Sequence, residues 1–204
     1  MTSSIVYHKD VIEFVTVAKE YIALIDFPEE TEKKEFIFKS HKILPLLYLK
    51  ASLLPEVPEI FNEGNERFCT EEMYFGIQNK IHRLLRTNDY EVLSNYDSQN
   101  LDEQEWIKLS EIYADIFQSL YDFLNLYRIG TEEMMNDALF ECQNDFKTLW
   151  GKKSLQLIEA LHSLLYDNLI VENDEVPEDE DVQLNTDNWF TEKLKDTHGH
   201  QHHE

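Results

Sequence analysis

The stretch WIKLSEIYADIFQSLYDFLNLYRIG, residues 106–130, decides the fold. Trp106, Leu109, Ile112, Tyr113, Ile116, Phe117, Leu120, Phe123, Leu124 and Tyr127 recur at steps of three and four, which lays one continuous apolar stripe along an α-helix. Gly130 is expected to terminate it. Thr131 with Glu132 and Glu133 then has the chemistry of an N-cap followed by acids in a first turn. The stripe of that next helix is Met135, Ala138, Leu139, Cys142, Phe146, Leu149 and Trp150, and Gly151 is expected to stop it. A last helix carries Leu155, Ile158, Leu161, His162, Leu165 and Leu169. Links this short predict antiparallel packing of the three.

Working outward, Val11, Phe14, Val15, Ala18, Tyr21, Ile22 and Ile25 predict a helix over about 8–26, ended by Phe27-Pro28. Another is expected over 30–54, kinked or split by Pro45, with Leu46, Leu47, Leu49, Leu53 and Leu54 as core. Thr70 is a further N-cap candidate, opening a helix that would bury Tyr74, Ile77, Ile81 and Leu84. Residues 86–102 have no helical period and read as a surface connection with a short extended piece at Tyr90 to Leu93. The expected fold is therefore all-α: a helical bundle of about six helices over residues 1–170, followed by a disordered acidic C-terminal tail over 171–204.

Charge bounds the function. The net charge is −23, with eleven acids and two bases from Val171 onward, a local −9 that leaves −14 on the residues before it. Such a surface repels phosphate backbones and anionic membranes, which are bound by Lys and Arg. Direct nucleic-acid or membrane binding is not expected; a protein partner, especially a basic one, is compatible. No apolar run approaches the ~20 residues of a membrane-spanning helix, and no secretory signal opens the chain, so the expected compartment is cytoplasmic. Cys69 and Cys142 are too few and too distant in sequence for a CxxC zinc pair, and no GxSxG, P-loop or GxGxxG is present.

Three groups of residues have the composition of a site. Asp115 and Asp122 on one predicted helix, with Asp137, Glu141 and Asp145 on the next, could face one another and hold Mg2+ or Mn2+ through oxygen ligands, as in all-helical nucleotide pyrophosphohydrolases. Asp115, Asp122, Glu141 and Asp145 form the metal set in that alternative. Solvated acids on the flanks of apolar stripes account for them more simply, and the EExxE pattern of those hydrolases is missing. Glu159 and His162 have the Glu-x-x-His spacing of bundle di-iron proteins without the second copy such sites need. His198, His200, His202 and His203 could bind a transition metal adventitiously. No cofactor is expected from these groups.

The acidic run ENDEVPEDED, residues 172–181, cannot bury a core and reads as a spacer. Beyond it Trp189, Phe190 and Leu194 form an apolar cluster suited to docking on a partner or folding back on the domain. Function is thus expected to be protein interaction without catalysis, with a metal-dependent hydrolase and an acidic mimic of nucleic acid as alternatives.

The segment from Leu109 to Tyr166, together with FVTVAKEYIALID (14–26) and KILPLLYLKASLLP (42–55), resembles an uncharacterised bacterial family known only as a domain of unknown function. The resemblance implies a small, acidic, cytoplasmic helical protein. It carries no activity, cofactor or site residue with it.

Overall fold

A computed structural model describes residues 4–28, 31–61, 64–93 and 106–171. The described residues form an all-helical bundle with one short two-stranded ribbon: α1 (Lys9–Asp26), α2 (Lys33–Ser52), α3 (Glu71–Leu85), β1 (Glu91–Leu93), β2 (Trp106–Lys108), α4 (Leu109–Ile129), α5 (Glu132–Asp145) and α6 (Gly151–Tyr166). α4 lies at the centre, against α1, α3, α5 and α6, while α2 packs on α1 and α6. Its position follows from its sequence, since twelve of its residues are buried, from Leu109 to Leu126.

Aromatic side chains join these layers. Phe14 of α1 meets Phe123 at 5.4 Å and Trp150 at 6.3 Å between ring centroids, and Phe36 of α2 meets Tyr113 at 5.4 Å. The Tyr21 hydroxyl, fully buried, donates to the Tyr113 carbonyl at 3.1 Å, so burial of this large ring leaves no orphaned donor.

Both predicted N-caps form. Thr70 Oγ1 accepts from the Met73 amide and Thr131 Oγ1 from the Met134 amide, each satisfying one of the donors a helix start leaves open.

Several expectations are corrected. Gly151 does not stop a helix: α5 continues through a π turn, Phe146–Trp150, into α6, with Gly151 itself helical at φ −64°, ψ −45°. The Gly151 amide donates to the Phe146 carbonyl, and a Cβ at 151 would lie 2.3 Å from that oxygen, so glycine is what lets the π turn close. Gly130 ends α4 as expected, in an extended conformation, φ −78°, ψ 161°; its role is steric, because a Cβ there would approach Leu126 O and Met134 Cβ to 2.8 Å.

Pro45 neither splits nor ends α2, which runs unbroken from Lys33 to Ser52. Leu47 and Leu54 are core as expected, whereas Leu46, Leu49 and Leu53 are exposed, as are Leu149, Leu155 and Leu169. Trp106 is a strand residue, exposed, in an antiparallel ribbon that pairs Leu93 with Trp106 and Val92 with Ile107. The extended piece expected near Tyr90 to Leu93 is therefore the first half of this ribbon.

Candidate functional site

The described residues of the connection between α2 and α3 form no helix or strand, and several of their backbone groups are bonded by side chains of α4 and α5. Gln143 Nε2 donates to the Pro55 carbonyl and Asn136 Nδ2 to the Pro58 carbonyl, both at 2.7 Å. The Asp137 carboxylate accepts from the amides of Ile60 at 2.7 Å and Phe61 at 2.6 Å. Asn65 Nδ2 donates to Glu141 Oε2 at 2.7 Å and to the Asp137 carbonyl at 3.1 Å. Asp122 Oδ1 accepts from both the Phe68 and Cys69 amides at 2.7 Å, at the entry to α3. Asn136, Asp137 and Gln143 are buried, so α5 presents a polar face to the loop in place of an apolar one.

This clamp contains three of the acids in the predicted metal set. Asp122, Glu141 and Asp145 line a cavity of about 10 Å3 together with Asn65 and Arg67, a volume near that of one water. The Arg67 guanidinium enters from the loop, bonded to Glu141 and 3.5 Å from Asp122 Oδ2, an oxygen that accepts no hydrogen bond. Burial pushes the Asp145 carboxyl above the usual aspartate range; Arg67 opposes that shift, and Glu141 and Asp122 add to it. Among the described residues no three His, Cys, Asp or Glu side chains are arranged to hold a metal ion. A cation entering here would have to displace Arg67.

Asp115 does not join the other three. It accepts from the Tyr74 hydroxyl at 3.0 Å and pairs with Lys153, at the α3, α4 and α6 contact. Glu159 and His162 are both exposed, and the His162 ring lies 5.6 Å from His41 and 4.6 Å from Tyr166. The terminal histidines and Trp189, Phe190 and Leu194 lie outside the described residues. Both cysteines are buried: burial, then Asp122, pushes the Cys69 thiol up to about 12, and burial with Asp145 and Glu141 pushes Cys142 well up. Neither thiol has the electropositive setting of a nucleophile.

A further buried acid, Asp89, has no signature in the sequence. Asp89 accepts from the Ser110 amide and from the Ser110 hydroxyl, both at 2.7 Å, and its Oδ2 lies 2.6 Å from His82 Nδ1. Serine, histidine and aspartate are all present, but the carboxylate stands between the other two, and Ser110 is buried. The His82 imidazole bonds Asp89 and not the Ser110 hydroxyl, so the group caps the start of α4 and is not a nucleophilic triad.

Fold and clamp define an all-helical domain in which the conspicuous acids of α4 and α5 organise a long loop. The chain belongs to the family described as a domain of unknown function (DUF5063), whose model matches residues 5–167. It is similar to protein BF1032 from Bacteroides fragilis, a structural-genomics crystal structure, with 38% identity over 79% of this chain and 96% of that one and a TM-score of 0.70. No curated protein matches the chain. Among the described residues no helix is long and apolar enough to cross a membrane.

Proposed function

We propose that this protein is a non-catalytic interaction module that binds a protein partner through the outer face of α2. The observation that carries this reading is a row of solvent-facing apolar side chains there: Phe38, Pro45, Leu46, Leu49 and Leu53. Positions 38, 45 and 49 fall within a narrow arc of the helix, which exposed Lys42 shares with its ammonium 5.1 Å from the Phe38 ring centroid, and exposed apolar side chains grouped on one face are characteristic of docking faces. The charged side chains exposed beside this row, Lys34, Glu35, Lys39 and Lys42, are mostly cations, so the −14 on the residues before Val171 resides elsewhere on the domain and does not set the charge of a partner at this face. In this proposal Trp189, Phe190 and Leu194 supply a second, tethered contact, which raises the effective concentration of the bound partner.

The test has two arms. A partner found by cross-linking in the source organism is purified, and its affinity is compared for the wild type, Phe38→Ser with Leu49→Ser, and Trp189→Ala with Phe190→Ala. A loss of about tenfold or more in each double variant, ~1.4 kcal/mol, is expected; unchanged affinity in the α2 variant rejects this face. Melting is also followed with millimolar Mg2+ and Mn2+, because a ligand of the native state raises the midpoint. A rise that Asp145→Asn abolishes would replace the module reading with a metal-dependent enzyme built on Asp122, Glu141 and Asp145.

A further inference from the structure

Where α2 packs on α6, the fold brings His41 to His162, with 5.6 Å between ring centroids and 43° between ring planes. The Tyr166 ring closes the group, 4.6 Å from His162 and 5.8 Å from His41. The sequence pairs His162 with Glu159, one turn earlier on α6; the fold gives it a second imidazole on a different helix. His41 is half-buried, and its Nδ1, shielded from solvent, has no hydrogen-bond partner among the described residues. Buried polar atoms are normally paired, and in the neutral ring an unprotonated nitrogen carries a lone pair. This one is a ligand atom without a competitor.

We infer that His41 and His162 form a two-imidazole site for a late transition-metal ion, Zn2+, Ni2+ or Cu2+, that bridges α2 and α6. An imidazole nitrogen binds Zn2+ at ~2.0–2.1 Å and the ring centre lies ~1.1 Å beyond it, so two rings at a tetrahedral angle on one ion have centroids ~5.2 Å apart. The observed 5.6 Å lies within a few tenths of an ångström of that separation. Imidazole also selects these ions over hard cations such as Mg2+. Coordination requires the neutral ring, and burial, then Lys42 and His162, pull the His41 imidazole below the usual histidine value. The Lys42 ammonium is itself drawn to the Phe38 ring, 5.1 Å from its centroid.

Among the described residues no three His, Cys, Asp or Glu side chains group to hold a metal ion, so the two imidazoles are the ligands these helices supply and water fills the remaining positions. The bound ion fastens α2 to α6. This site is separate from Asp122, Glu141 and Asp145, which offer oxygen donors, and it does not depend on the docking proposed for the outer face of α2.

The experiment is thermal melting of the full chain with His198, His200, His202 and His203 replaced by Asn, so that the terminal histidines add no signal, at about pH 7.5 with and without millimolar Zn2+, Ni2+ or Mg2+. An ion that binds only the native state raises the midpoint. Expected is a rise of about 3 °C or more with Zn2+ and with Ni2+ and none with Mg2+, abolished by His41→Asn and by His162→Asn, each compared with its own metal-free midpoint. Tyr166→Phe keeps the ring and should keep the full rise. As a second readout, the imidazole proton resonances of His41 and His162 should move together during Zn2+ addition and saturate at one ion per chain. The apparent Kd should increase at least tenfold from about pH 7.5 to about pH 5.5, as protons compete for both rings. No rise in midpoint, a rise that survives either histidine substitution, or movement of His162 without His41 overturns the proposal.

Discussion

A single carboxylate oxygen of Asp122 accepts the Cys69 amide at 2.7 Å across 53 residues of chain, and the neighbouring Phe68 amide at the same distance. This pair of bonds ties the end of the α2–α3 loop to the central helix. Asp122→Ala leaves two amides without their acceptor, each a loss of ~1–3 kcal/mol, so destabilisation on the order of 3 kcal/mol is expected in urea unfolding. Asp122→Asn keeps one acceptor oxygen and should cost about 1 kcal/mol. A near-neutral alanine variant would mean that the loop contributes little to the folded state.

Asp137 makes the same argument from α5, where it holds Ile60 and Phe61. Its loss releases the middle of the loop without removing apolar core, so local opening is expected to exceed global loss of stability. Asp137→Ala should therefore gain protease cleavage within residues 55–68 while its melting transition stays cooperative. Cleavage elsewhere, with the loop still protected, contradicts this assignment.

The helices were legible because burial of one face imposes a period. α1, α3, α4 and α5 follow it closely, and the threonine caps mark two of their starts. In the run Leu46 to Leu54 apolar residues occupy nearly every position, and periodicity then cannot say which face is core; Leu47 turned inward and Leu46 and Leu49 outward. Trp106 stands at a helical interval from Leu109, yet it belongs to a three-residue strand, too short for alternation to register. The acids of α4 and α5 were visible as residues, and three of them do converge. Their partners were not visible, because a carboxylate that caps amides 53 to 77 residues away leaves no local pattern.

The two helical glycines Gly76 and Gly151 should respond oppositely to alanine. A Cβ at Gly76, exposed on α3, meets nothing within 4 Å, and alanine's better helix propensity is expected to stabilise by up to ~1 kcal/mol. At Gly151 the Cβ would sit 2.3 Å from the Phe146 carbonyl oxygen, so the π turn must open and the buried Trp150 beside it must shift. Gly151→Ala should destabilise by several kcal/mol, on the order of an overpacked core position. Denaturant midpoints of the two variants on either side of the wild type would confirm the pair; stabilisation by Gly151→Ala would show that the π turn is not required.

Asp145 gives the clearest dependence on pH. Burial raises its pKa in the folded protein, and the Glu141 and Asp122 charges add to the shift against Arg67. The native state therefore holds this proton at pH values where the unfolded chain has lost it. The stability linked to that proton is complete below the unfolded pKa and falls as pH rises through the folded one. Asn at this position cannot ionise, so Asp145→Asn is expected to melt above the wild type at pH 7. At about pH 3, under the ordinary aspartate value, both side chains are neutral and the gap should close. Paired melting curves at the two pH values test this. If Asp145→Asn instead melts lower at pH 7, the carboxylate is stabilised by a partner stronger than Arg67, and the metal-bound alternative gains its first support.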